Sequence, residues 1–126
     1  MERKQSGVRL LAHALNGIEY ICCGSVAIAC VNHEELQQLG CGAGDFEGIV
    51  ESMLFIEGVD ISCFCIEREL GLIKISLRSR CEVDVCELAQ RLSTDGGGHK
   101  RAAGAVVKID MEGIKRKLTS ALIEID

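Results

Sequence analysis

The ten residues Gly96-Gly97-Gly98-His99-Lys100-Arg101-Ala102-Ala103-Gly104-Ala105 hold most of the chemistry this chain could do. Three successive glycines cost backbone entropy in any fold, which points to main chain at positive φ or pressed close to a neighbour. Their unobstructed amides can converge on an anion, an effect strengthened if a helical turn begins at His99. His99 adds a donor, Lys100 and Arg101 add positive charge, and the small residues that follow let backbone approach backbone or ligand. By themselves the glycines would serve a plain flexible turn equally well.

Ser76-Leu77-Arg78-Ser79-Arg80 is the second candidate. Arginine presents a planar fork that pairs bidentately with phosphate, and Ser76 on the same strand face as Arg78 can donate beside it. The competing reading is an exposed strand face with ordinary surface arginines.

The elements that must position these segments follow from periodicity. Val8, Leu11, Ala12 and Leu15 recur at helical spacing, so residues 6–16 read as an amphipathic helix ended by Asn16-Gly17. Residues 25–31 are apolar on both faces, as in a central strand covered on two sides. Asn32 and Glu35 form a capping box that opens a short helix ending at Gly40, and a glycine-rich loop follows to Gly44. Asp45 is expected to cap the next helix, on which Phe46, Ile49, Val50, Met53 and Leu54 form one stripe that stops near Gly58.

Residues 60–68 and 72–80 read as a hairpin around Gly71. In its second strand Ile73, Ile75 and Leu77 point to one face, and Lys74, Ser76, Arg78 and Arg80 to the other. Asp84 caps a helix carrying Val85, Leu88, Ala89 and Leu92, which the Ser93 to Gly98 run stops. Residues 102–109 end in a strand, and Ile114, Leu118, Ala121, Leu122 and Ile125 form the stripe of a last helix. The fold class is therefore α/β, a single layered domain with a mixed β-sheet flanked by helices.

Composition sets limits. With 126 residues, 48% of them hydrophobic, the chain suits one domain with a real core and is too short for two. No apolar run approaches the ~18–20 residues of a membrane span, and no signal-peptide pattern is present, so a soluble cytoplasmic protein without membrane partners is expected. Eight cysteines without a C-x-x-C pair read as small buried hydrophobes in a reducing compartment, not as a metal site. Proline is absent, and four aromatic residues in all argue against a sheet paved for base stacking.

The net charge of -5 hides an asymmetry. No Lys or Arg falls between Leu10 and Glu67, whereas ten occur from Lys74 to Lys117 against six acids. Screening over ~8–10 Å lets a basic site for an anionic ligand persist on an acidic protein.

Ser76-Leu77-Arg78-Ser79, followed after a short amphipathic helix by Gly96-Gly97-Gly98-His99-Lys100-Arg101-Ala102-Ala103-Gly104, resembles the DHH-associated domain, the C-terminal domain of DHH-family phosphoesterases. The nearest subgroup it resembles is the bacterial bifunctional oligoribonuclease/pAp phosphatases, the nanoRNases. Asp45-Phe46-Glu47-Gly48-Ile49-Val50 and Ile56-Glu57-Gly58-Val59 extend the similarity over nearly the whole chain from residue 8.

The resemblance implies a substrate-binding domain over residues 1–126 that faces a catalytic DHH domain in cis, in which two divalent metals, usually manganese, activate water. It implies that Arg78 and His99 contact substrate phosphate and that Gly97 and Gly98, with Gly96, shape the loop admitting the nucleotide. Ser76, Ser79 and Arg101 would support them. The ligands implied are pAp, dinucleotides or short oligonucleotides. The chain has no Asp-His-His triplet, and His13, His33 and His99 are scattered, so no catalytic residue and no metal ligand is assigned within it. Asp95 stands where the family often has a glycine, next to the glycine run.

Two other readings stay open. One is a stand-alone nucleic-acid-binding module like the C-terminal domain of alanyl-tRNA synthetase, and the other an interaction domain with a structural glycine loop. Helix-borne apolar surface is also compatible with a homo-oligomer.

Overall fold

The computed structural model describes residues 2–125. The helices are α1 (Gln5–Asn16), α2 (His33–Leu39), α3 (Ile49–Met53), α4 (Val85–Leu92) and α5 (Met111–Ile125). The strands are β1 (Glu19–Ile21), β2 (Val26–Val31), β3 (Ile61–Glu69), β4 (Leu72–Ser79), β5 (Gly97–His99) and β6 (Ala102–Val107). They form one mixed sheet in the order β1-β2-β3-β4-β6-β5. Only β2 and β3 are parallel, which their long connection through α2 and α3 allows; all other neighbours are antiparallel.

Strand alternation sorts the interior into two cores. Ile28, Cys63, Cys65, Ile73, Ile75, Leu77, Ala103 and Ala105 point to one face, where α4 and α5 close over them with Leu88, Leu92, Ile114 and Leu118. Ala27, Ala29, Val31, Phe64 and Ile66 point to the other, under Leu10, Leu36, Ile49 and Met53 of α1–α3. The first core spans the sheet from β2 to β6. The second draws strand residues only from β2 and β3, so β4, β6 and β5 keep one face largely uncovered.

Capping chemistry sets several boundaries. The Asn32 side chain accepts from the Glu35 amide while Glu35 accepts from the Asn32 amide, each at 2.9 Å, and Gly40 ends α2 at φ 67. Asp84 accepts from the amides of Cys86 and Glu87 and so starts α4. The expectation that Asp45 caps a helix beginning at Phe46 is overturned. Asp45 lies inside a 3-10 turn, Ala43–Phe46, where its carboxylate accepts the Gly42 amide at 2.8 Å. Gly48 at φ 81 then redirects the chain, and α3 begins only at Ile49. Apolar spacing shared by the turn and the helix made the two read as one element. The three-residue β1 was too short to register as a pattern.

Candidate functional site

The uncovered half-face is floored by small residues and rimmed by cations. Antiparallel register fixes which side chains share it, because directly paired residues project to the same side. His99 pairs with Ala102, Ala102 with Arg78, and Arg78 with Ser62. Gly97 pairs with Gly104, Gly104 with Ser76, and Ser76 with Phe64. Val106, Lys74 and Ile66 make a third row. With strands ~4.8 Å apart, Arg78 and His99 stand ~10 Å from one another across the single alanine between them.

A groove of about 590 Å³ runs along this face beneath the rim of the 3-10 turn and α3. Arg78, Ser76 and Lys74 of β4, Phe64, Ile66 and Arg68 of β3, and Phe46, Glu47 and Glu51 line it. Arg78 is mostly covered. Its Nη1 donates to the Leu77 carbonyl at 2.9 Å, and its Nη2 lies 3.9 Å from the Glu51 carboxylate. The guanidinium is thus steered toward the groove by a partner too exposed to bind it tightly. The Arg68 guanidinium lies 5.1 Å above the Phe46 ring centre.

The three glycines answer to three different constraints. A Cβ at Gly96 would fall 2.0 Å from the Ala89 carbonyl oxygen, so this glycine lets the chain lie against α4. Gly98 takes φ +136, and a Cβ there would sit 2.6 Å from the Ala102 oxygen and 2.7 Å from the Ala103 Cα. A Cβ at Gly97 would meet nothing within 4 Å, because its missing side chain points over the open face. The helical turn at His99 that would have strengthened an anion cradle is not formed. Gly97–His99 is an extended strand whose residues pair with β6, and the turn is the two-residue hairpin at Lys100 and Arg101. Competing strand pairing accounts for this: the small β6 residues let a glycine strand dock where a loop was expected.

Of the sequence-selected residues, the structure brings Arg78, His99, Ser76 and Gly97 to one face and leaves Gly96 and Gly98 as packing positions beneath its edge. Ser79 is turned to the opposite side and buried, where its Oγ accepts the Cys81 amide at 3.2 Å. Arg101 folds back to donate to the Cys81 carbonyl, with Glu82 3.8 Å away. Lys100 pairs with Glu82 at 3.2 Å, and this contact holds the Glu82 carboxyl below the usual range. Both basic residues after His99 are therefore engaged at the sheet's end. Asp95 stands exposed in the turn after α4.

Phe46, Arg68 and Glu51 escaped sequence reasoning as site residues. Two of the three phenylalanines, Phe46 and Phe64, are groove residues, so the scarce aromatics are concentrated where a ligand would lie. The usable signal was Arg68 at the end of a strand whose alternate residues Phe64 and Ile66 share its face. The run of buried residues on both faces of β3 masked it. Among the described residues no group of three or more His, Cys, Asp or Glu comes together that could hold a metal ion, and no helix is long and apolar enough to cross a membrane.

Residues 24–125 match the DHHA1 domain family. Over 81 residues the chain is 37% identical to the bifunctional oligoribonuclease and PAP phosphatase NrnA of Thermus thermophilus, covering 64% of this chain and 23% of that protein. It superimposes on an exopolyphosphatase-related protein from Bacteroides fragilis with TM-score 0.90 and 30% identity, over 98% of this chain and 36% of that one. A pGpG-specific phosphodiesterase, PggH, from Vibrio cholerae shares the fold at TM-score 0.67 and 12% identity, over 96% and 39% of the two chains. The chain thus spans about a quarter to two-fifths of the length of these relatives.

Proposed function

The chain belongs to the DHHA1 domain family of DHH phosphoesterases, and from that premise we propose that its uncovered sheet face binds the phosphate end of a nucleotide or short oligonucleotide. The observation that carries this is the row His99-Ala102-Arg78: two phosphate donors on one face with only a methyl group between them. Arg78 supplies a fork that matches two phosphate oxygens, and the phosphate replaces the distant Glu51 contact. His99, exposed at the sheet edge, donates from the opposite side. Gly97, Gly104 and Ala102 keep the floor low enough for the sugar-phosphate to lie against the backbone.

The described residues do not fit a two-metal centre, since His13, His33 and His99 lie on α1, α2 and β5 and no acidic cluster among the described residues joins them. In this reading the hydrolytic step belongs to a DHH domain in cis that carries manganese, and the present domain holds substrate against it. Short phosphorylated ligands such as pAp and dinucleotides suit the face, in line with the name of the Thermus relative.

The test is calorimetric titration of the chain with pAp at low and moderate salt. Micromolar to millimolar binding is expected, weakened by salt as phosphate contacts require. Arg78→Ala should weaken it about 10- to 100-fold, the equivalent of a charge-assisted hydrogen bond of ~1.5–3 kcal/mol, and His99→Ala by a smaller factor. Binding unaffected by Arg78→Ala refutes the assignment. Tight binding of structured RNA without preference for phosphorylated ends favours the nucleic-acid-appendage reading instead.

A further inference from the structure

On the side of the sheet away from the groove, two cysteines are set apart from the rest by their placement. Cys30 of β2 and Cys65 of β3 are directly paired in the parallel register, so both side chains project to the α4 and α5 face. Neighbouring strands stand ~4.8 Å apart, within the ~4.4–6.8 Å between Cα atoms that a disulfide spans, and the two thiols are hydrogen-bonded to each other. Cys63, two residues along β3, pairs with Ile28 and lies ~8 Å from Cys30, outside that span. Cys65 is fully buried, whereas Cys30 is half-buried. The register of β1 with β2 runs only from Val26 to Ile28, which leaves the sheet edge open beside Cys30. Lys115 of α5, which contacts Glu19 at 3.4 Å and Glu112 at 3.8 Å, brings its ammonium to the same place. The hydrogen bond from Cys65, and after it the Lys115 charge, hold the Cys30 thiol below its ordinary value against burial and the Glu19 and Glu112 carboxylates. The same hydrogen bond and burial push the Cys65 thiol up, so it keeps its proton.

A reachable sulfur beside a cation, backed by an enclosed thiol at bonding distance, is an arrangement in which the first takes up an oxidant and the second resolves the product. We propose that Cys30 and Cys65 form a hydroperoxide-reactive dithiol, in which Cys30 is oxidised first and Cys65 converts it to an intrachain disulfide. The Cys30 thiolate attacks the terminal oxygen of the hydroperoxide; an S–O bond forms, the O–O bond breaks, and the departing alkoxide or hydroxide takes a proton from the Lys115 ammonium or water. The Cys65 sulfur then attacks the sulfur of the Cys30 sulfenic acid. An S–S bond forms as the S–O bond breaks, and the Cys65 proton leaves with the hydroxide as water. Two thiols and one hydroperoxide thus give one disulfide, one alcohol and one water, the two electrons coming from the sulfurs. Cys63, sealed in the same core, keeps the role of a small hydrophobe.

The test treats the reduced whole chain with hydrogen peroxide, blocks the remaining thiols with N-ethylmaleimide and maps the products by mass spectrometry. No Lys or Arg falls between Arg9 and Arg68, so trypsin would leave both cysteines in one peptide. A glutamate-specific protease separates them, and fragment spectra locate the bridge. A Cys30–Cys65 cross-link that dithiothreitol reverses is expected. In Cys65→Ala, Cys30 should instead accumulate as a sulfenic acid that dimedone traps, and in Cys30→Ser the Cys65 thiol should stay reduced. Lys115→Met, a substitution on a partly exposed helix position that leaves both thiols in place, should slow formation of the cross-link severalfold. Circular dichroism of the reduced variants checks that each keeps the fold, and Lys115→Met carries the kinetic arm if a core variant does not. Oxidation confined to exposed Cys23, a bridge from Cys30 to any other cysteine, or oxidation of Cys65 at an undiminished rate in Cys30→Ser overturns the dithiol. An unchanged rate in Lys115→Met overturns the activation of Cys30 by the ammonium.

Discussion

Replacing each glycine of the triplet by alanine in turn separates packing from ligand access. At Gly96 the new methyl would lie 2.0 Å from the Ala89 oxygen and 2.5 Å from the Ala89 carbonyl carbon. Restoring ordinary contact at roughly 3.5 Å needs a shift of ~1.5 Å, and both atoms are helix backbone that cannot rotate aside. Such overpacking costs about 3 kcal/mol, and displacing the Gly96 amide from the Ser93 carbonyl, now 2.9 Å away, adds about 1 kcal/mol. At Gly98 the strained φ of +136 costs ~1–3 kcal/mol before the 2.6 Å clash with Ala102 is counted. At Gly97 there is no clash and no positive φ, so the loss of unfolded-chain freedom leaves the variant unchanged or stabilised by about 0.5 kcal/mol. Urea unfolding followed by circular dichroism reads these differences, and in a thermal melt ~3–4 kcal/mol amounts to a drop of at least ~10 °C. Gly97→Ala should instead weaken pAp binding, because its methyl rises into the floor of the face. Equal stability costs at all three positions, or a neutral Gly96→Ala, would refute the packing argument and restore the flexible turn.

Two further outcomes follow from the titratable groups. The Gly42 amide holds the Asp45 carboxyl below the usual range, so the folded-state pKa lies under the unfolded value of ~3.9. Its stabilising contribution is complete above that unfolded value and is lost as pH falls through the lowered one. Asp45→Asn should therefore flatten the acid-side slope of stability against pH in melts below about pH 5, and an unchanged slope would rule this out. Burial pushes the Cys63 thiol up, and the contact with Cys30 together with burial does the same to Cys65. Native alkylation with iodoacetamide, mapped by mass spectrometry, should label exposed Cys23 first and spare these two, whereas labelling of Cys63 at the rate of Cys23 would contradict their placement.

Long periodic segments told their structure through sequence alone. The α4 and α5 stripes, the capping box at Asn32 and the hairpin around Gly71 all formed where spacing placed them, because each is specified by contacts within a few residues. The α1 helix formed too, but its expected stripe is corrected: Val8, Ala12 and Leu15 are exposed and Leu11 half-buried, and the helix turns Gly7, Leu10 and Ala14 to the core instead. The face carrying Arg78 and Ser76 was legible from the alternation of β4. Strand order was not. Only the placement of β6 between β4 and β5 puts His99 in the Arg78 row, and that pairing joins residues distant in sequence. Phe46 was assigned to a helix stripe because apolar spacing cannot tell a 3-10 turn from an α-helical one over so few residues. Ser79 and Arg101 passed for ligand contacts because a residue's type does not reveal that its polar atoms will be spent on a nearby carbonyl or amide.

The sheet begins and ends on strands of three residues. A long bare border would invite another chain to add a strand, the ordinary route to aggregation. Here the border beside the uncovered face is Gly-Gly-His, too short and too poor in side chains to hold a recruited strand in register. The same run of small residues that keeps this face low thus also makes its margin a poor seed for fibrils.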